Sequence, residues 1–273
     1  MVNGKLIVES AATLSVKDLS VLRGYGIFDF FRTDFHRPLF LEDHLQRLQY
    51  SSAKVFPDHP LDMEDVKKQI LDLLSINKMA FSGIRIVRTG GETKNGYDIG
   101  NPNLIITQES ISFPSSEKYQ NGVKLISHEF QRELVDVKTI SYMTGIWLQP
   151  LVKKHNAYDI VYHQNRNISE LTRSNFFIVD KHGVLVTPPS NILKGITRKK
   201  VLQIANDIME VEERQINLAE LAEVQEAFLT GTTKKVLPVV EVDDMVIGNG
   251  RPGERTKELM LKFEQLEKDY FKQ

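Results

Sequence analysis

The sequence predicts a two-domain α/β protein, and three observations predict it. The 273 residues are enough to bury more than one core. Short runs rich in Ile, Val and Phe alternate with longer stretches of helical period from one end to the other. Near the middle, residues 109–122 (ESISFPSSEKYQNG) are polar, with proline and serine clustered. The expected division is an N-terminal α/β domain over residues 1–115, a linker at 116–122 and a C-terminal domain over 123–273.

Composition removes several classes of function. Lys+Arg 35 against Asp+Glu 36 leaves a formal net charge of -1, so no sign excess draws the chain to nucleic acid or to an anionic membrane. There is no cysteine, which excludes disulfides, thiolate metal sites and cysteine nucleophiles. His36, His44, His59, His128, His155, His163 and His182 show no ligand spacing such as HxxxH, and no metal is expected. The opening MVNGKLIVES has no long apolar core, so secretion is not expected. No apolar run approaches the roughly 20 residues that span a bilayer. The expectation is a cytoplasmic enzyme.

Taken in order, residues 4–9 and 27–32 read as strands. A helix follows over 41–54, with Leu41, Leu45 and Leu48 on one face. His44 and Arg47 are three apart on it and can point into one space, or lie together on a solvated face. Asp62 caps a second amphipathic helix that buries Val66, Ile70, Leu73 and Leu74. The strand 84–88 (IRIVR) puts Arg85 and Val87 on one face, and Ile84, Ile86 and Arg88 on the other. It runs into Thr89-Gly90-Gly91, where an arginine could hold a carboxylate or guard a sheet edge. A further strand is read at 104–108.

The second half opens with a strand at 123–129 and reaches Lys138 in a short polar step. Ile140, Met143, Ile146, Trp147 and Leu151 then recur at helical spacing, with Pro150 placed to kink or end the helix. Strands at 159–163 and 167–170 flank the turn Gln164-Asn165-Arg166, and Glu170 ends the second of them. Another hairpin turns at His182-Gly183 between 176–179 and 184–187. Thr197, just after Gly195, reads as the N-cap of a helix over 198–209. Its free N–H groups and dipole suit a phosphate, although plain capping explains the same motif. The strand 228–230 leads into Gly231-Thr232-Thr233, a hydroxyl-bearing turn, and a strand at 236–242 and a helix over 253–271 complete the chain.

Lys138 and Glu170 together suit an amine that forms a Schiff base and a carboxylate that faces the far side of the same ring, the arrangement pyridoxal phosphate uses. Alone, a lysine is far more often a solvated surface residue. The wider set is more specific: EDHLQRL at 42–48, Lys138, Glu170 with Asn175, LKGITR at 193–198 and LTGTTKKVLPV at 229–239. In order and spacing these residues resemble the class IV aminotransferases, the fold-type-IV pyridoxal-phosphate enzymes. That group includes branched-chain and D-amino-acid aminotransferases and aminodeoxychorismate lyase. The resemblance runs from about residue 23 to 257.

The resemblance implies a smaller N-terminal α/β sandwich and a larger C-terminal pseudo-barrel, with pyridoxal 5'-phosphate in the cleft between them. It implies a homodimer acting on an amino acid and a 2-oxo acid. Lys138 matches the Schiff-base lysine and Glu170 the carboxylate at the pyridine nitrogen. Arg47 matches the phosphate-binding arginine, Ile196 and Thr197 the amides at the phosphate, Thr232 a hydroxyl partner to it, and Leu193 an apolar residue near the ring. The sequence departs from the family near its start, where Arg23-Gly24-Tyr25-Gly26-Ile27-Phe28-Asp29 shifts the aromatic residue and ends in a shorter acid. It departs again after Glu170, where Leu171, Thr172 and Arg173 replace glycine and small residues. Arg173 becomes a candidate for the substrate carboxylate or the phosphate, and Arg88 is favoured over Arg85 for the carboxylate because it ends its strand beside the glycine loop. The expected activity is transamination of a branched-chain amino acid. The alternatives are the lyase reaction, a D-amino-acid substrate, or a non-catalytic binder of phosphorylated ligands, for which Lys138 and Glu170 would have no use.

Overall fold

In the computed structural model, which describes residues 1–272, β1 (Gly26–Asp34) anchors a four-stranded antiparallel sheet in the order β2-β1-β3-β4. Its partners are β2 (Arg37–Pro38), β3 (Phe81–Thr89) and β4 (Leu104–Glu109). Strand alternation sends Ile27, Phe31, Ile84, Ile86 and Ile106 to one face, where they form a core with Leu45, Leu48, Val66, Ile70 and Leu73. Those partners come from α2 (Leu41–Val55) and α3 (Met63–Ile76), the second capped by Asp62, whose carboxylate accepts from the N–H groups of Glu64 and Asp65. The opposite face carries Phe28, Phe30, Arg85 and Val87, all half-buried. A short α1 (Leu19–Arg23) is capped by Asp18 and stopped by Gly24 at φ 66.

Residues 4–9 are not a strand. Asn3 and Gly4, at φ 47 and 77, turn the chain so that Val2 bridges Lys5, and a 3-10 turn follows at Glu9–Ala11.

The chain divides into two units, residues 1–111 with 137–141, and residues 112–136 with 142–273. The return of 137–141 to the first unit breaks the linear division read from the sequence. The Phe28 N–H donates to the Lys138 carbonyl at 2.9 Å and the Ile140 N–H to the Gly26 carbonyl at 3.1 Å. Gly26 allows this approach, since a Cβ there would lie 2.8 Å from the Arg88 carbonyl and 2.9 Å from Ile140 Cδ1. The expected linker is not featureless either: α4 occupies Ser116–Asn121.

The second unit is built on β5 (Val123–Glu129), β6 (Asp159–Gln164), β7 (Asn167–Leu171), β8 (Asn175–Val179), β12 (Glu226–Gly231) and β13 (Lys235–Val242). These pair in the order β8-β12-β13-β5-β6-β7, and the single pair Glu170↔Asn175 joins β7 back to β8, closing a six-stranded barrel. Strands β9 (Leu185–Thr187), β10 (Val211–Glu213), β11 (Ile216–Asn217) and β14 (Met245–Val246) extend the sheet outside that ring. Leu125, Val161, Leu171, Phe176, Leu229 and Leu237 belong to one core cluster. Asn165 and Arg166, at φ 48 and 64, make the tight β6–β7 turn that the sequence signals.

The helical pattern after Lys138 is two helices, α5 (Met143–Trp147) and α6 (Gln149–Lys154), parted where Pro150 removes a backbone donor. Met143, Ile146 and Trp147 face outward, 80%, 69% and 70% exposed. Helix α7 (Ile196–Ala205) begins two residues earlier than predicted and ends four residues sooner, and α8 (Glu254–Lys272) closes the chain. No helix of the described residues is long and apolar enough to cross a membrane.

Candidate active site

In the first unit the site residues gather around Asp29, which β1 buries completely. The three-residue spacing of His44 and Arg47 brings both to it from α2. Arg47 donates from Nε to Oδ2 and from a terminal nitrogen to Oδ1, each at 2.8 Å, a bidentate pair. His44 Nδ1 stands 2.7 Å from Oδ1. Burial pushes the Asp29 carboxyl up, but the charges of Arg47 and His44 outweigh it and hold the group well below its ordinary 3.8. Burial lowers His44 from its ordinary 6.5, and the neighbouring Asp29 carboxylate pulls the other way.

Lys138 extends its amine to 4.4 Å from the Phe28 ring centroid. On the same sheet face, the Arg85 guanidinium lies 5.5 Å from the Phe28 ring and 5.0 Å from the Phe30 ring, and pairs with both oxygens of Glu109 at 3.1 and 2.6 Å. Arg88 points the other way. It is 4% exposed, donates to Ser52 Oγ and to the His59 carbonyl, and stacks 4.7 Å over Phe56. Its guanidinium is committed to the core beneath the sheet, where the alternation of β3 places it with Ile84 and Ile86. The arginine that shares a sheet face with Phe28, the ring under the Lys138 amine, is therefore Arg85.

In the second unit Glu170 is 5% exposed. One carboxylate oxygen accepts from Arg132 Nε at 2.7 Å, and the other from the Leu193 N–H at 2.9 Å. Arg132 is itself fixed by donating to the Val135 carbonyl at 2.6 Å. The Leu193 carbonyl accepts from the Asn175 side chain at 2.8 Å, so Leu193 contacts this network through its backbone. Asn175 also packs so closely on Gly195 that any Cβ there would collide with its Oδ1. Gly195, not Thr197, is the N-cap of α7, and it offers no side chain to the first N–H groups. Ile196 and Thr197 thus form the first turn. Thr232 lies in the turn 231–234, where the Lys234 N–H donates to the Gly231 carbonyl at 3.1 Å. Arg173 is exposed at the tip of the β7–β8 turn.

Arg132 carried no local signal in the sequence, because its partner Glu170 is 38 residues away. In the sequence Asp29 stands out only as a shorter acid than the family uses. Among the described residues no group of three or more acids and histidines could hold a metal ion.

Residues 26–242 match the family model described as amino-transferase class IV. A Methanocaldococcus jannaschii protein, provisionally named a branched-chain-amino-acid aminotransferase, is 33% identical over 97% of this chain and 94% of its own length. A D-alanine aminotransferase of Bacillus licheniformis is 30% identical over 93% of this chain and 92% of its own. Among solved structures, the branched-chain amino acid aminotransferase of Escherichia coli superposes with a TM-score of 0.88 at 24% identity, covering 97% of this chain and 93% of that one. The branched-chain aminotransferase of Thermoproteus uzoniensis, solved with norvaline, gives 0.86 at 26% over 97% and 93%. The six-stranded barrel, the match across most of the chain and the two relatives at 30% or more agree, and the chain belongs to the class IV aminotransferases.

Proposed function

We propose that the protein is a pyridoxal-phosphate-dependent aminotransferase that moves an amino group between a branched-chain amino acid and a 2-oxo acid, with Lys138 as the amine that engages the cofactor. The donor set suits that cofactor. Glu170 is a carboxylate clamped on both oxygens, Arg47 is a bidentate-held cation, α7 starts without a side-chain cap, and the 231–234 turn carries two hydroxyls. When bound, pyridoxal phosphate supplies an aldehyde for an amine and a ring that accepts the electrons released at the substrate α-carbon.

The chain's own residues supply the rest. Arg132 and the Leu193 N–H fix both oxygens of Glu170 and aim the carboxylate, which holds a proton on the ring nitrogen. The Lys138 amine moves the proton at the substrate α-carbon. Arg47, the N–H groups of Ile196 and Thr197, and the Thr232 hydroxyl bind the phosphate.

The observation that carries the substrate reading is the neighbourhood of Phe28. Lys138 and Arg85 both approach its ring, and Phe30 and Val87 continue the same half-buried apolar face. An apolar wall with one arginine suits two alternating partners. An apolar amino-acid side chain packs on the aromatic rings, and the carboxylate of a dicarboxylic 2-oxo acid pairs with Arg85. Glu109 uses two of the Arg85 nitrogens, and among the described residues its other terminal nitrogen has no partner. A homodimer in the cytoplasm belongs to this reading, and the outward Met143, Ile146 and Trp147 give a second copy apolar surface to cover.

A second reading, a D-amino-acid substrate, is favoured by the Bacillus relative's name at 30% identity. The test is the visible spectrum of the purified protein before and after amino acids are added. A yellow band that L-valine or L-leucine bleaches, with 2-oxoglutarate restoring it, supports the branched-chain reading. Bleaching by D-alanine alone moves the assignment to D-amino acids. No band after addition of pyridoxal phosphate rejects the enzyme reading altogether.

A further inference from the structure

We propose that Lys234 is a positioning residue for phosphate binding, fixing the turn that carries Thr232 from beneath. The inference rests on the cofactor reading above and goes beyond it, because Lys234 reaches the phosphate only through the turn.

Lys234 is 6% exposed, and its amine donates to Ser174 Oγ at 2.9 Å and stands 3.5 Å from Asp159 Oδ2. The other oxygen of Asp159 accepts from Thr172 Oγ1 at 2.5 Å and from the Ile160 N–H at 2.8 Å. One buried ammonium therefore joins the β12–β13 turn, the β7–β8 turn and the start of β6. Packing alone does not call for a charge here. A buried ion pair carries a desolvation cost that an apolar side chain of similar volume avoids, so the lysine is better explained by what it holds in place.

What it holds is a group of anion-binding features. Thr232 and Thr233 are half-buried in the turn whose last residue is the buried Lys234. Gly231 presses this turn on the neighbouring one: a Cβ there would lie 3.2 Å from Ser174 Oγ and 3.4 Å from the Arg173 carbonyl. The register Thr230↔Asn175 and the contact of Asn175 with Gly195 bring the uncapped start of α7 to the same strand pair. The buried hydroxyl of Thr230 has no partner among the described residues. The turn's hydroxyls, the Arg173 tip and the helix start thus share a framework in which the Lys234 amine is the cross-tie. Without that tie, Thr232 keeps its hydroxyl but loses its fixed position, and a fixed donor binds an anion more tightly than a mobile one.

The experiment compares binding of pyridoxal 5'-phosphate and of pyridoxal, which lacks the phosphate, to the cofactor-free protein by absorbance titration. Lys234→Met is expected to weaken pyridoxal-phosphate binding at least about tenfold, or about 1.4 kcal/mol, and to change pyridoxal binding by less than about twofold. Because Met leaves Asp159 buried without its cation, Lys234→Met with Asp159→Asn is measured beside it. Ser174→Ala keeps the ion pair, breaks only the tie between the turns, and is expected to weaken phosphate-dependent binding about threefold. Thermal melting identifies the folded variants, and Ser174→Ala decides the matter if both lysine variants unfold. Unchanged pyridoxal-phosphate affinity in the folded variants overturns the proposal, as does an equal loss for both ligands. A wild-type protein that binds no pyridoxal phosphate overturns the cofactor reading and this inference together, and that outcome appears in the first titration.

Discussion

Asp29 and Arg47 face each other through two parallel hydrogen bonds, both 2.8 Å, inside a site where the carboxylate is fully buried. The arginine's planar fork is thereby set before any ligand arrives, and little side-chain freedom remains to be lost on binding. Asp29→Asn keeps the shape and removes the charge. It is expected to weaken pyridoxal-phosphate binding about five- to tenfold and to leave pyridoxal binding within about twofold, measured by titration of the cofactor-free protein.

Acid should loosen the same cluster. His44 is lowered from 6.5 by burial, so between its folded value and 6.5 the unfolded chain holds a proton that the folded chain does not. Stability contributed by the neutral ring is complete above 6.5 and is lost as pH falls below it. Asp29, held below 3.8, extends the loss to lower pH in the same direction. The urea midpoint of the wild type is expected to decline as pH drops from 7.5 to 5. In His44→Gln that slope should flatten, and an equal slope in the variant would remove His44 from the effect.

Lys138→Ala should abolish transamination while the melting temperature changes little, since the substitution removes an amine and scant packing. Glu170→Gln should still take up cofactor but lose on the order of a hundredfold in rate, because a neutral partner no longer holds the ring proton. Single-turnover absorbance changes separate the two effects. Full activity in either variant contradicts the assigned role.

Arg85 and Arg88 make a paired test. Arg85→Met is expected to raise KM for 2-oxoglutarate at least about tenfold with stability nearly unchanged, because the side chain sits half-exposed in a pair with Glu109. Arg88→Met should instead cost about 1–3 kcal/mol of stability, leaving the Ser52 hydroxyl and the His59 carbonyl without their donor, and leave KM unchanged. Steady-state kinetics and denaturant melts tell the two arginines apart.

These two residues also show where sequence reasoning succeeded and where it failed. The alternation of IRIVR places Arg88 with Ile84 and Ile86, the buried side, whereas its position beside a glycine loop suggests a free guanidinium. The period of the strand was the better guide, because side-chain direction in a strand follows from backbone geometry, whereas loop proximity is only correlation. Elements whose signal is local were legible: the helices at Leu41–Val55 and Met63–Ile76, the Asn165-Arg166 turn, and the break at Pro150. The residues 4–9 failed because Asn3 and Gly4 reverse the chain before a strand can extend. Arg132 and Lys234 were invisible for a different reason. Each is defined by a partner 38 or 60 residues away, and only the closed barrel brings those partners within reach.

The seam of that barrel has a consequence of its own. Strands β7 and β8 are joined by the single pair Glu170↔Asn175, the thinnest junction in the ring, while β12 and β13 share five such pairs. A ring of strands breathes first where fewest backbone bonds must part. Here the same residue that shuts the ring is the buried acid, and its neighbour across the seam supports the loop at Leu193. Momentary opening of the barrel and momentary displacement of the Glu170 carboxylate from its donors are then one event. Amide exchange at Leu171 and Asn175 would therefore count how often a folded molecule lets that carboxylate go.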